Sequence, residues 1–153
     1  MGYSPASSPA QASQSSVCVR LDIEDLPQFA VVDRQYESWG VRFDNAVAIH
    51  PSNPAYPPHS GSMVLMGAPR CGWLEATFVR PVQHVSSFVI SSRHTVIRAF
   101  NRQNQLVAEA ETESNLGQGS TSFQLTSSAQ NIHRVTLESF NGQLTVDDFC
   151  FCG

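Results

Sequence analysis

The sequence predicts an all-β fold, an antiparallel sandwich or barrel with about ten strands. Short segments of alternating or continuous apolar residues recur about every ten positions, with turn residues between them. No window of about 11 residues carries a convincing helical stripe of apolar side chains. With 153 residues, of which 41% are hydrophobic, the chain can bury one core.

Each strand is assigned from its own apolar pattern. In the second, Trp39 shares the parity of Val41 and Phe43, which predicts all three in the core. Asn141-Gly142 lies between the last two strands and predicts a type I′ hairpin turn. The predicted strands cover residues 17–24, 36–43, 46–49, 62–66, 73–79, 84–91, 95–100, 106–112, 122–126, 132–140 and 143–152.

Two stretches have the composition of non-strand segments. Residues 1–16 consist mainly of Ser, Pro, Ala and Gln, which predicts a flexible tail or linker ahead of a domain at 17–153. Residues 51–61 contain four prolines, which lack the backbone donor that a strand needs. This second stretch is therefore predicted to be a long surface loop, and such loops often bind ligands.

The charge pattern excludes two classes of partner. Charged residues make up only 14% of the chain, lysine is absent, and the net charge is -4. A nucleic-acid partner or an anionic membrane requires a basic surface, so neither is expected. No apolar run approaches the roughly 20 residues that a membrane-spanning helix requires, so membrane insertion is not expected either.

Four cysteines without a C-x-x-C spacing favour two disulfides and a secreted or cell-surface location. If the first and last strands pair antiparallel with Cys18 opposite Cys152, Cys71 remains for Cys150. Pairing of Cys18 with Cys150 is an alternative, and free buried thiols are another.

The same register would place Arg20 opposite Cys150, Asp22 opposite Asp148, and Glu24 near Asp147. Directly opposed carboxylates repel each other unless a cation lies between them. Calcium, which prefers oxygen ligands, is the expected ion. Glu24 and Asp147 are the best candidate ligands, with carbonyl groups near residues 60 and 61 completing the shell. The alternates are Asp22, Asp25, Asp148 and Asn45.

Several segments together resemble a known family. They are the acidic and apolar opening at 21–27, the run Gly40-Val41-Arg42-Phe43-Asp44-Asn45, and the ending Leu144-Thr145-Val146-Asp147-Asp148-Phe149. This succession resembles the galactose-binding-like jelly rolls of bacterial exported proteins and carbohydrate-binding modules. The resemblance implies a jelly-roll sandwich over roughly residues 17–152. It also implies a structural calcium where the first and last strands meet.

Exposed aromatic residues on loops are the side chains to seek if the protein binds sugars. Tyr56 in the proline-rich loop is the first candidate, with His59 in the same loop. Trp73 follows, although a core position is equally compatible with its pattern. Arg93 and His94, in the turn after residue 92, are the expected polar partners.

The sequence therefore predicts a non-catalytic domain that binds a polysaccharide or glycan and is stabilised by calcium and disulfides. The alternative is a structural or adhesive subunit of an extracellular filament or surface layer, which would self-assemble through its tail and cysteines. A third interpretation, an accessory domain of a glycoside-active enzyme, stays open. Catalysis itself finds little support, because the sequence shows no second cluster of acids besides 22–25 and 147–148.

Overall fold

A computed structural model describes residues 17–153, and the predicted tail at 1–16 lies outside them. The described part contains one single-turn 3₁₀ helix, Glu37–Trp39, and no helix in it is both long and apolar enough to cross a membrane. Eleven strands make up the fold of residues 17–153. In chain order they are β1 (Cys18–Arg20), β2 (Val41–Asp44), β3 (Ala46–Ile49), β4 (Val64–Gly67), β5 (Trp73–Val82), β6 (His84–Ser91), β7 (Thr95–Phe100), β8 (Leu106–Thr112), β9 (Thr121–Thr126), β10 (Ile132–Ser139) and β11 (Leu144–Cys152).

The strands form two antiparallel sheets, which confirms the predicted jelly-roll sandwich. One sheet has the order β9-β6-β11-β4-β3, and β1 pairs with the end of β11. The other has the order β2-β5-β10-β7-β8. The connection from β10 to β11 therefore crosses from one sheet to the other, and its turn lies at one end of the sandwich.

The core lies between the sheets, where alternate side chains of each strand meet. Its centre is a cluster of phenylalanine rings from both sheets. Phe43 and Phe149 have ring centroids 5.3 Å apart and meet edge to face, and those of Phe78 and Phe151 lie 5.1 Å apart. All four rings are buried. Because β11 supplies two of them, this strand is central to the packing.

The first and last strands pair in the predicted register, Cys18 opposite Cys152 and Arg20 opposite Cys150. A disulfide joins Cys18 to Cys152. The pairing is shorter than predicted, because β1 ends at Arg20. One further backbone hydrogen bond follows, from Leu21 N–H to the carbonyl of Phe149 at 3.0 Å. A bulge in β11 then interrupts the ladder with β6, and the acids beyond Arg20 do not face each other across paired strands.

The second predicted disulfide, between Cys71 and Cys150, is absent, and both thiols are free. The geometry explains why. Cys71 precedes Gly72, whose N–H points to the side chain of Gln143 just before β11 begins. Cys150 lies seven residues further along that strand, a span of about 23 Å. A disulfide needs Cα atoms within about 7 Å of each other.

The prediction for Trp39 is also wrong. Its side chain is 63% exposed, although it shares the sequence parity of Val41 and Phe43. Residues 37–39 form the 3₁₀ turn rather than a strand, so period-two alternation does not apply there. Gly40 ends the turn at φ 112°, a conformation that favours glycine, and β2 begins only at Val41.

Candidate functional site

A groove lies at one end of the five-stranded sheet, where the sheet's outer face meets three connecting segments, 68–72, 92–94 and 140–143. Glu138 on β10 stands opposite Trp73 of β5 on one side and Val96 of β7 on the other. The neighbouring pair Leu137 and Leu74 is fully buried. Strand alternation therefore turns Trp73, Glu138 and Val96 outward. All three are half-buried.

The turn that joins β10 to β11 lies above this row. The N–H of Gly142 donates to the carbonyl of Ser139 at 3.0 Å, so Phe140 and Asn141 are the central residues of the turn. Asn141 has φ 59°. The type I′ hairpin turn predicted for Asn141-Gly142 is therefore wrong: the turn lies one position earlier, Asn141 is the one of its two central residues with a positive φ, and β10 and β11 lie in different sheets. As a consequence Phe140 lies at the tip, where it is 76% exposed.

Two glycines hold the three connecting segments together. A Cβ at Gly72 would collide with the carbonyl oxygens of Ser139 and Gly142, and Gly72 has φ 75°. The carbonyl of Gly72 accepts the N–H of Ser139 at 2.7 Å. A Cβ at Gly142 would lie 2.7 Å from Cγ of Arg93. Side chains larger than glycine at either position would force the segments apart.

The cations of the groove occupy different environments. The guanidinium of Arg70 lies 5.3 Å from the centre of the Trp73 ring and 3.5 Å from the carboxylate of Glu138. His94 lies between two acids, with Nε2 2.7 Å from Glu111 and Nδ1 3.1 Å from Glu113. The hydrogen bond to Glu111 raises the pKa of His94, and Glu113 adds to this effect while desolvation opposes it.

Two adjoining cavities form the groove, with volumes of about 470 and 460 Å³. Glu138 and Phe140 line both of them. Trp73 and Arg70 belong to the first cavity, and Arg93, His94 and Arg98 to the second. The structure thus brings together three of the five predicted ligand-binding residues, Trp73, Arg93 and His94.

The other two predicted binding residues lie elsewhere. Tyr56 is half-buried and lines a smaller cavity of about 220 Å³, which borders the groove only through Gln143. His59 stacks on Phe88 with ring centroids 3.4 Å apart, and its Nδ1 lies 2.5 Å from Asp148. It therefore does not contribute to the groove.

The predicted metal ligands converge on one loop. Glu24 accepts the N–H groups of Ser62 and Met63 at 2.8 and 3.2 Å. Asp147 is buried and accepts the N–H of Ser60 at 2.9 Å. Burial raises the pKa of Asp147. Both carboxylates therefore bind adjacent parts of the segment 60–63.

The remaining predicted ligands have other partners. Asp22 accepts the N–H of Glu24 at 3.0 Å, and Asn45 bonds to the backbone of Arg70 and Trp73, at the groove. Burial alone would raise the pKa of Asp148. Hydrogen bonds from His59 and from the hydroxyl of Ser60 outweigh this effect, so the pKa lies below its usual range. Across residues 17–153, no group of three or more His, Cys, Asp or Glu side chains is spaced to hold a metal ion.

The sequence prediction missed Glu138 and Phe140, which line both cavities, and also Arg70 and Arg98. Glu138 follows the alternation of β10, but nothing in the sequence distinguishes it from other outward strand residues. Phe140 carried a usable signal, because a large apolar residue directly before Asn-Gly falls in a turn if the turn shifts by one position.

No protein-family model matches the sequence, and no curated protein matches it. Solved structures do resemble its fold. The K2 cleaved adhesin domain of Lys-gingipain aligns with a TM-score of 0.58 and 11% identity, over 88% of this chain and 99% of that one. A DUF4465 family protein from Bacteroides caccae also gives 0.58, at 8% identity over 89% and 99%.

A variant of a family 29 carbohydrate-binding module aligns with a TM-score of 0.51 and 7% identity, over 90% of this chain and 91% of the module. Identities this low show a shared fold and nothing more. The chain thus has the jelly-roll β-sandwich fold found in carbohydrate-binding modules and adhesin domains, as its resemblance in sequence implies.

Proposed function

We propose that residues 17–153 form an extracellular, non-catalytic domain that binds a polysaccharide or glycan in the groove between Trp73 and Phe140. The observation that carries the proposal is the arrangement of two aromatic side chains, the half-buried Trp73 and the exposed Phe140, around one carboxylate, Glu138. Aromatic rings pack against the apolar C–H face of a sugar, and a few fixed polar groups bond its hydroxyls. The groove offers both kinds of contact, from β5 and β10 and from the turn that follows β10.

Further observations support this reading. A carbohydrate-binding module shares the fold. The disulfide between Cys18 and Cys152 is typical of exported proteins. Glycoside hydrolysis usually needs two carboxyl groups across a cleft. Among the residues the structure describes, Glu138 is the one acid that lines the two cavities, which favours binding over hydrolysis.

Glycan-array screening followed by calorimetric titration tests the proposal. We expect Trp73→Ala and Phe140→Ala each to weaken binding of the selected glycan by roughly tenfold. Phe29→Ala is the matched control, since Phe29 is 70% exposed but does not line the groove. Tyr56→Ala would show whether a longer chain continues past Gln143. Failure to bind any glycan, or unchanged binding by both groove variants, would exclude this function.

The calcium ion forms a second part of the proposal. Glu24 and Asp147 would supply its carboxylate ligands, and the carbonyls of Ser60 and Gly61 would add main-chain oxygens. Its support is proximity: both carboxylates lie beside the segment 60–63, where each accepts a backbone N–H. Calcium accepts carbonyl and water oxygens readily, so two carboxylates suffice. When bound, the ion would fasten this loop; it would take no part in the groove.

Self-association is a second candidate function, favoured by the exposed free thiol of Cys71. An exposed thiol in an oxidising compartment can bridge two copies. Size-exclusion chromatography with and without reductant distinguishes the possibilities. Polymers that reductant dissolves, and that Cys71→Ser prevents, would favour a structural or adhesive subunit, whereas a monomer in both conditions favours the binding domain.

A further inference from the structure

The groove is rich in arginine although the chain as a whole is acidic. Arg70, Arg93 and Arg98 line its two cavities, against the single carboxylate of Glu138. The whole chain carries a net charge of -4. Three arginines thus lie at the surface where Phe140 is exposed.

Most of these cations are already neutralised by acids of the same sheet. Arg70 pairs with Glu138 at 3.5 Å, and Arg98 Nε lies 2.9 Å from Glu109. His94 has two acids of its own. Arg93 is different, because no acid within residues 17–153 forms an ion pair with it. Its side chain is exposed and lines the same cavity as Phe140.

The backbone of Arg93 is held firmly. Its carbonyl accepts hydrogen bonds from the hydroxyls of Ser91, Thr95 and Ser139, at 2.8, 3.2 and 3.4 Å. Its Cγ packs closely against Gly142 in the turn that carries Phe140. The backbone of Arg93 and the turn that carries Phe140 are therefore held against each other, which places both side chains at the same cavity.

We propose that Arg93 selects an anionic glycan, through the carboxylate of a uronic acid unit. This inference rests on the proposed function of the groove. A guanidinium binds carboxylate in a planar, bidentate geometry, and the sugar ring would then pack against Phe140. The other groove cations have carboxylate partners already, so Arg93 alone provides an uncompensated charge for the ligand.

Binding of polygalacturonate, dextran sulfate and neutral galactan to the whole domain tests this inference. We expect polygalacturonate to bind most tightly. Its affinity should fall as the sodium chloride concentration rises, because salt screens charge. Arg93→Gln should weaken it by about tenfold or more, the loss expected for one charge-assisted hydrogen bond pair. Arg80→Gln is the matched control, since Arg80 is exposed but lines a different groove.

The outcomes separate this inference from the proposed function. Neutral galactan that binds as tightly as polygalacturonate, with no effect of Arg93→Gln, overturns the anionic ligand and leaves the groove as a glycan site. Preference for dextran sulfate over polygalacturonate overturns the assignment of a carboxylate. Both proposals fail if none of the three polymers binds and no glycan on the array binds, provided that circular dichroism shows the wild-type fold in the Arg93 variant.

Discussion

Glu24 accepts a hydrogen bond from the backbone N–H of Ser62 at 2.8 Å, although the two residues lie 38 positions apart. The second oxygen of the same carboxylate accepts the N–H of Met63 at 3.2 Å. Gly61 packs so closely that a Cβ there would collide with the carboxyl group. One side chain thus fastens the end of the proline-rich loop to the start of the domain.

Replacing Glu24 with alanine should therefore destabilise the fold. Loss of these hydrogen bonds should lower the free energy of unfolding by about 1–2 kcal/mol, because two amides would lose their partner. Urea denaturation in the presence of a chelator measures this without a contribution from bound metal. Asp25→Ala is the control, since Asp25 is an exposed neighbouring acid. Equal midpoints for wild type and the Glu24 variant would contradict the role assigned here.

Calcium should raise the melting temperature of the protein if Glu24 and Asp147 bind it. A ligand that binds only the folded state stabilises it by about 2.7 kcal/mol at one hundred times its dissociation constant. Differential scanning calorimetry with excess calcium and with chelator measures the shift. Asp147→Asn should abolish it. An identical melting transition in both conditions would rule out a structural ion.

The titration of His94 should depend on Glu111. Because the hydrogen bond to Glu111 raises the pKa of His94 above its ordinary value of 6.5, the folded protein binds this proton more tightly than the unfolded chain. The resulting stabilisation is complete below the unfolded pKa and is lost as pH rises through the folded pKa.

Nuclear magnetic resonance of the imidazole protons checks this directly. The midpoint for His94 should lie above 6.5 in the wild type and should fall in Glu111→Gln. The conservative variant keeps the size of the side chain and removes its charge. A midpoint that does not move would show that Glu111 has no influence on His94 in solution.

The two free cysteines should differ in reactivity. Cys71 is exposed, whereas Cys150 is partly buried in a paired strand. A maleimide should modify Cys71 rapidly in the folded protein and Cys150 only slowly, since access controls the reaction. Cys71→Ser should remove the rapid phase. The wild-type chain, unfolded without reductant, should show two thiols. No free thiol at all would instead mean that Cys71 and Cys150 are bridged.

Most of the fold could be predicted from the pattern of apolar residues in the strands. Apolar alternation located nine of the described strands closely, and the cysteines of the first and last strands gave their pairing. Register matters here, because a shift by one residue would move every core residue of β11 to the wrong face. The length of β1 was not predictable from this pattern. Its strand-like alternation continues to Glu24, but that side chain is used to hold the loop at 62–63 instead.

The candidate site was only partly predictable, for a physical reason. Trp73, Arg93 and His94 were chosen as residues near turns, and the sheet order then brought those turns together. Glu138 joins them through the pairing of β10 with both neighbours, which is a property of topology rather than of local sequence. For Trp39 the local pattern gave a wrong prediction. A single 3₁₀ turn changes the side of the chain that faces the core, so the side chain is exposed.

The disulfide of β1 and β11 has a mechanical consequence. It closes a covalent ring across a sequence separation of 134 residues, with Val17 and Gly153 just outside it. A pulling force applied at those two residues would pass through the sulfur bridge and would bypass the hydrogen-bonded ladders. The sheets and the groove at their end would then carry no tension, so a ligand could stay bound while the protein is stretched between two attachment points.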